Sequence, residues 1–156
     1  MLNINELLPE IPIFCTLEPD EITVLRKYLE RKSFAENTHV FHEGDPGDGL
    51  FVVAVGAVKI AKNIDGTNEK VLAGFAEKEF FGELALLDGK SRSASAIATR
   101  ASVLLKISAE NFNKLMTESP FAALKIVSQI ACHLSMRLRD TNIRLSELEN
   151  YRLLRG

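Results

Sequence analysis

Apolar positions recur with a helical period at both ends of this chain and with a period of two between them. Two short helical patterns open it, and the second is the sharper. Pro19 suits a first helical turn, Asp20 and Glu21 lie at the positive end of the helix dipole, and Ile22, Leu25, Tyr28 and Leu29 repeat at helical spacing. This predicts a helix ending near Arg31. From about Ser33 the period becomes two, and turn residues recur at Glu43 to Gly49, Gly56, Asp65-Gly66 and Gly74. Phe51, Val53 and Val55 alternate with Val52 and Ala54, and Val103, Leu105 and Ile107 alternate with Ser102, Leu104 and Lys106. Several strands are apolar on both faces, which suits a closed or double-layered β structure.

The helical period returns near Asn111. Ser119 can cap, and Pro120 can start, a helix that runs almost to the last residue. Along it Val127, Ala131, Leu134, Leu138, Thr141, Leu145 and Leu148 form a heptad seam. Such a seam either packs on its own domain or pairs with a second chain. At 1.5 Å per residue the helix extends ~50 Å, more than a small barrel can cover, which favours a homodimer through this helix.

A length of 156 residues fits one domain, 1–156. With 46% hydrophobic and 26% charged residues and a mean hydropathy of +0.03, the chain is neither disordered nor membrane-embedded in character. No segment approaches the ~20 apolar residues of a membrane helix, and the N terminus lacks a basic region followed by an apolar one, so a cytoplasmic protein is expected. Cys15 and Cys132 stand alone in apolar surroundings and read as buried structural thiols. A formal charge of −2 argues against a protein built mainly to hold a nucleic-acid backbone.

Candidate chemistry concentrates between Phe80 and Ala96. Gly82 permits close backbone approach to a ligand, and Glu83 to Leu87 make a helical turn whose free N–H groups suit an anion. Nine residues after Glu83 comes Arg92, whose planar fork can hold two phosphate oxygens and stays charged when desolvated. Ser93 adds a hydroxyl. A carboxylate beside a phosphate needs another task, and accepting a hydrogen bond from a sugar hydroxyl suits Glu83. The alternation of Ala94, Ala96 and Ala98 with Ser93, Ser95 and Ile97 places Arg92 at the start of a strand whose small side chains leave room for a ligand.

Phe81-Gly82-Glu83-Leu84-Ala85-Leu86 followed by Arg92-Ser93-Ala94 closely resembles the phosphate-binding cassette of cyclic-nucleotide-binding domains, as in catabolite activator proteins, cyclic-nucleotide-dependent kinases and gated channels. The segment from Val40 to Gly56 resembles that family's second signature, with Gly44, Gly47 and Gly56 at the tight turns. Two signatures in the right order are far more specific than one short motif. The resemblance implies a mainly β fold, a jelly-roll-like β-roll over 33–108, with N-terminal helices over 1–32 and C-terminal helices over 109–156, the last one long. It implies a ligand, cAMP or cGMP, and no other cofactor. Gly82, Leu84 and Ala85 would offer backbone N–H groups to the phosphate or its surroundings, Glu83 would bind the ribose 2′-hydroxyl, Arg92 would pair with the phosphate, and Ser93 would supply a hydroxyl near the phosphate or a guanine.

The sequence departs from the family at Ser91, where proline is usual, and at Lys78, where glycine is usual; the second predicts a different turn ahead of Phe80. Where the catabolite activator reaches the adenine with a Thr-Ser pair, this chain reads Arg137-Leu138-Arg139, making Arg137 and Arg139 candidate base contacts or solvated helix-surface residues. The implied role is a regulatory sensor that signals by moving its last helix, either to a second copy or to an effector protein; the alternative is a ligand-free homology domain used for protein interaction. His39 and His42 raise a metal site, but their opposite parity on a strand should send them to different faces, and His133 reads as a packed or surface residue. No nucleophile elbow or phosphate-binding P-loop is present, so an enzyme is not expected. The sequence after the long helix leaves no space for a helix-turn-helix, so DNA binding by this chain alone is not expected either.

Overall fold

A computed structural model describes residues 3–66 and 68–155; Met1, Leu2 and Gly156, at the ends of the expected domain, lie outside the described residues. Helix α1 (Ile4–Leu7), a 3-10 turn (Leu8–Glu10) and α2 (Pro19–Arg26) precede eight strands, and α4 (Ala109–Glu118) and α5 (Pro120–Arg155) follow them. The strands are β1 (Glu30–Phe34), β2 (His39–Phe41), β3 (Gly49–Val55), β4 (Val58–Asn63), β5 (Glu69–Phe75), β6 (Phe80–Phe81), β7 (Ser95–Ala98) and β8 (Ser102–Ser108). A short helix, α3 (Glu83–Asp88), lies between β6 and β7. Two antiparallel sheets, in the orders β1-β8-β3-β6 and β2-β7-β4-β5, form the β-roll.

The doubly apolar reading of β3 has a direct cause. Phe51 and Val53 face the roll interior with Val58, Phe81, Ala96 and Leu104, whereas Leu50, Val52 and Ala54 face a second core built with the helices. That second core takes Leu8, Ile11, Ile13 and Phe14 from the N-terminal segment, Leu25 from α2, Leu115 from α4, and Ala122, Ile126 and Ile130 from α5. The β3–β4 turn demands glycine at Gly56, where φ is +102° and an added Cβ would lie 2.2 Å from Ser102 Oγ. No helix among the described residues is long and apolar enough to cross a membrane.

Several expectations need correction. Helix α2 stops at Arg26, not near Arg31, because i→i+3 bonds from Lys27, Tyr28 and Leu29 tighten its end and β1 then pairs with β8 from Glu30. Cys15 and Cys132 are exposed. Cys15 turns its thiol to the Pro12 carbonyl while its neighbours Ile13 and Phe14 fill the core, and Cys132 falls on the outer side of α5, away from Ile126 and Ile130. His39 and His42 do not diverge: β2 ends at Phe41 with an irregular register, which cancels the parity, and the two rings stack 4.1 Å apart. No group of three or more His, Cys, Asp or Glu side chains among the described residues is disposed to hold a metal.

Helix α5 starts at Pro120, whose missing N–H breaks it from α4, and Ala123 donates the first helical bond to Ser119. The heptad seam divides. Val127 and Leu134 pack against the core, whereas Leu138, Leu145 and Leu148 are exposed. The exposed row of the first half is Phe121, Leu124 and Ala131, which continues into Leu138 and Leu145 at the same heptad spacing.

Candidate functional site

In the segment from Phe80 to Ala94 the chain passes from β6 into α3 at Gly82, which takes a left-handed conformation, φ +78°, at the N-cap of the helix. Gly89 closes the helix in the same conformation, φ +64°. A side chain at Gly82 would be strained and would also press on Arg92, since an added Cβ would sit 2.7 Å from Arg92 Nη1. Lys78, at the position where the family usually has glycine, takes a left-handed conformation, φ +71°.

A cavity of about 300 Å³ lies under this segment. Phe41, Ile60, Ala73, Phe75 and Phe81 supply its apolar wall, and Gly82, Glu83, Leu84, Ala85, Arg92, Ser93 and Arg137 its rim. The structure thus brings the sequence-selected cassette residues and Arg137 to one cavity. Arg139 does not line it and is exposed on α5. Arg92 belongs to the loop ahead of β7, not to the strand, which begins at Ser95. Ala94 and Ala96 are buried, with Ala94 at the cavity and Ala96 inside the roll.

Arg92 is buried, 5% exposed, which is rare for arginine and requires partners. Nη1 donates to the Gly82 carbonyl at 3.1 Å, and Nη2 donates to the Gly49 carbonyl at 2.7 Å and to Asp48 Oδ1 at 3.1 Å. Its guanidinium carbon lies 4.1 Å from the Phe41 ring centroid. The buried Nε donor has no partner among the described residues. Burial pulls the Arg92 pKa down, and the carboxylates of Asp48, Asp45 and Glu83 oppose it; the group remains a cation. The backbone is pinned too: Arg92 N donates to Asp45 O and Gly44 N to Arg92 O, each at 2.8 Å.

Glu83 is buried, 4% exposed, and accepts a hydrogen bond from Arg137 Nη1 at 2.7 Å. Arg137 also donates to the Phe80 carbonyl and lies 5.4 and 5.3 Å from the Phe75 and Phe80 ring centroids. Arg137 thus stands at the cavity rim, with its side chain partly exposed, and ties α5 to the cassette. His133, a turn earlier, packs edge-on to Phe80.

Asp48 has no role in the sequence reading, although it stands in a segment singled out for its glycines. Its carboxylate adjoins both Arg92 and Lys106. The sequence reading gave no role to the aromatic wall of Phe41, Phe75 and Phe81, whose position beside a buried arginine becomes visible only when β2, β5 and β6 are brought together.

Residues 31–119 match the family described as a cyclic nucleotide-binding domain. The chain belongs to that family. This cyclic-nucleotide-binding domain is 34% identical over 137 residues to the cyclic AMP receptor protein of Thermus thermophilus, a match covering 88% of this chain and 62% of that protein. The chain therefore spans about three fifths of the length of that curated relative. The crystal structure of the Thermus thermophilus catabolite activator protein superposes with a TM-score of 0.77 at 33% identity, covering 88% of this chain and 63% of that one. The regulatory domain of Toxoplasma gondii protein kinase A, crystallised with cAMP, superposes with a TM-score of 0.64 at 28% identity over 72% of this chain and 42% of that one.

Proposed function

We propose that this chain is a cytoplasmic, non-enzymatic sensor that binds a cyclic nucleotide, cAMP or cGMP, in the cavity beneath Gly82 to Ala94 and signals through α5. The observation that carries the reading is the pairing, in one cavity of this family's fold, of a buried cation holding an unpartnered donor, Arg92, with a buried carboxylate, Glu83. The cation takes the cyclic phosphate, assisted by backbone N–H groups around Gly82, Leu84 and Ala85 and by the Ser93 hydroxyl. The carboxylate accepts from the ribose 2′-hydroxyl. The apolar wall shelters the sugar and strengthens both contacts by excluding water.

Glu83 is also the partner of Arg137, so a ribose hydroxyl at Glu83 competes with, or reorganises, the ion pair that holds α5. A ligand shifts a helix only if it favours one helix position over another, and this shared carboxylate supplies such a difference. The outer row Phe121, Leu124, Ala131, Leu138 and Leu145 suits a second copy of α5, giving a homodimer whose geometry reports the ligand; an effector protein reading the same row is the other form of output.

Calorimetric titration of the pure protein with cAMP and with cGMP tests the reading and names the nucleotide. Saturable binding of one of them at a single site per chain is expected. Absence of heat with both, at protein concentrations up to ~100 times a micromolar Kd, points instead to a ligand-free interaction domain.

A further inference from the structure

Lys106 occupies an inward position of β8, on the same face as Leu104 and directly across the ladder from Phe51. A lysine there needs a counter-charge, because only 15% of its side chain is exposed. Its Nζ donates to Asp48 Oδ2 and lies 5.6 Å from the Phe51 ring centroid. The other Asp48 oxygen, Oδ1, accepts from Arg92. Lys106, Asp48 and Arg92 therefore form a row of alternating charge that ends at the cavity, and Lys106 itself does not line it.

We propose that Lys106 is a positioning residue for the anion site: it neutralises Asp48 from behind, so that Asp48 does not cancel the positive charge that Arg92 brings to the cavity. This rests on the nucleotide reading given above. Two cations share one carboxylate, which leaves the row with a net positive charge. Without Lys106, Asp48 would cancel Arg92, draw its guanidinium toward itself and set a bare negative charge behind the phosphate. The state of Asp48 agrees with this. Loss of solvent acts to raise its pKa, but the hydrogen bond and charge of Lys106, helped by Arg92, outweigh that and hold it below the ordinary value. The carboxylate thus stays ionised, with one oxygen on each cation.

The test is calorimetric titration with cAMP and cGMP of the wild type, Lys106→Met, Lys106→Arg, Asp48→Asn and Asp48→Asn/Lys106→Met. Lys106→Met should weaken binding about tenfold, whereas in the Asp48→Asn background the same substitution should cost less than about threefold, because the effect passes through Asp48. Lys106→Arg should bind within about twofold of wild type, a cation being all that is required. Lys106→Gln, which keeps a hydrogen bond to Asp48 and removes only the charge, should show the same loss as Lys106→Met and replaces it if that variant does not fold. Equal penalties with and without Asp48 would overturn the proposal, and so would a neutral Lys106 variant that binds like wild type. A wild type that binds neither nucleotide would overturn the nucleotide reading and this inference with it, whereas a binding wild type matched by Lys106→Met would overturn this inference alone.

Discussion

Lys78 and Gly82 show how a single backbone conformation positions the cassette. Both are left-handed, at φ +71° and +78°, and only one of them is glycine. A left-handed residue other than glycine costs about 1–2 kcal/mol. The Lys78–Glu10 ion pair spans two exposed side chains and offsets little of that cost. Glycine also widens the unfolded ensemble, by about 0.4–1 kcal/mol, so Lys78→Gly should stabilise the fold by a net ~0.5–1 kcal/mol, read as a higher thermal midpoint. A lower midpoint would mean that the Lys78 side chain matters more than its strain. At this scale the sequence was informative about which groups come together, since Gly82, Glu83, Arg92 and Ser93 reach one cavity. It was silent about the partners those groups take within the chain. Arg92 folds back on Asp48 and two carbonyls, and Glu83 takes Arg137, because buried charges find the nearest partner, and such pairings lie far apart in the chain.

At the scale of elements, α5 packs on the domain through its first half only. Its N-terminal half buries Ala122, Ala123, Ile126 and Ile130 on the domain, and beyond Leu138 every described side chain for which burial is given is exposed. The heptad pattern foretold a long amphipathic helix but not where the seam would divide, because Val127 and Leu134 satisfy both a heptad and a packing face. If the outer row pairs with a second copy, Leu138→Glu with Leu145→Glu should give a monomer by light scattering while the thermal midpoint of the domain changes little. An unchanged oligomeric state in that variant, or a wild type that is monomeric at all concentrations, would remove the dimer and leave an effector protein as the reader of α5. The β strands were legible for a simpler reason: two sheets packed face to face, with helices behind one of them, force the doubly apolar β3. What parity could not foresee was the break at β2, where an irregular register stacks His39 on His42.

For the whole molecule, the helical layers are clamped across the chain by Glu21 of α2 and Lys125 of α5, 2.7 Å apart. The hydrogen bond from Lys125 lowers the Glu21 pKa below 4.5, against the opposing effect of burial, with help from the Glu18 backbone and the Lys125 charge. A carboxyl whose pKa is depressed by folding contributes stability that is fully present above its unfolded value and is lost as pH falls through the folded one. Unfolding free energy should accordingly hold steady from neutral pH to about 4.5 and decline below it. In Glu21→Gln the stability at neutral pH should be lower and the decline below that point shallower, measured by urea unfolding across the pH range. An identical acid slope in the variant would assign the decline to other carboxylates.

The proposed function turns on Arg92 as the group that holds an anionic nucleotide. The most direct measurement is the affinity of Arg92→Ala, set beside wild type in the same calorimetric titration, with the fold of the variant checked by circular dichroism. Removing one partner of a desolvated charged pair costs ~2–5 kcal/mol, so binding should weaken by roughly a hundredfold or more. A folded Arg92→Ala protein that binds cAMP or cGMP as tightly as wild type would contradict the account.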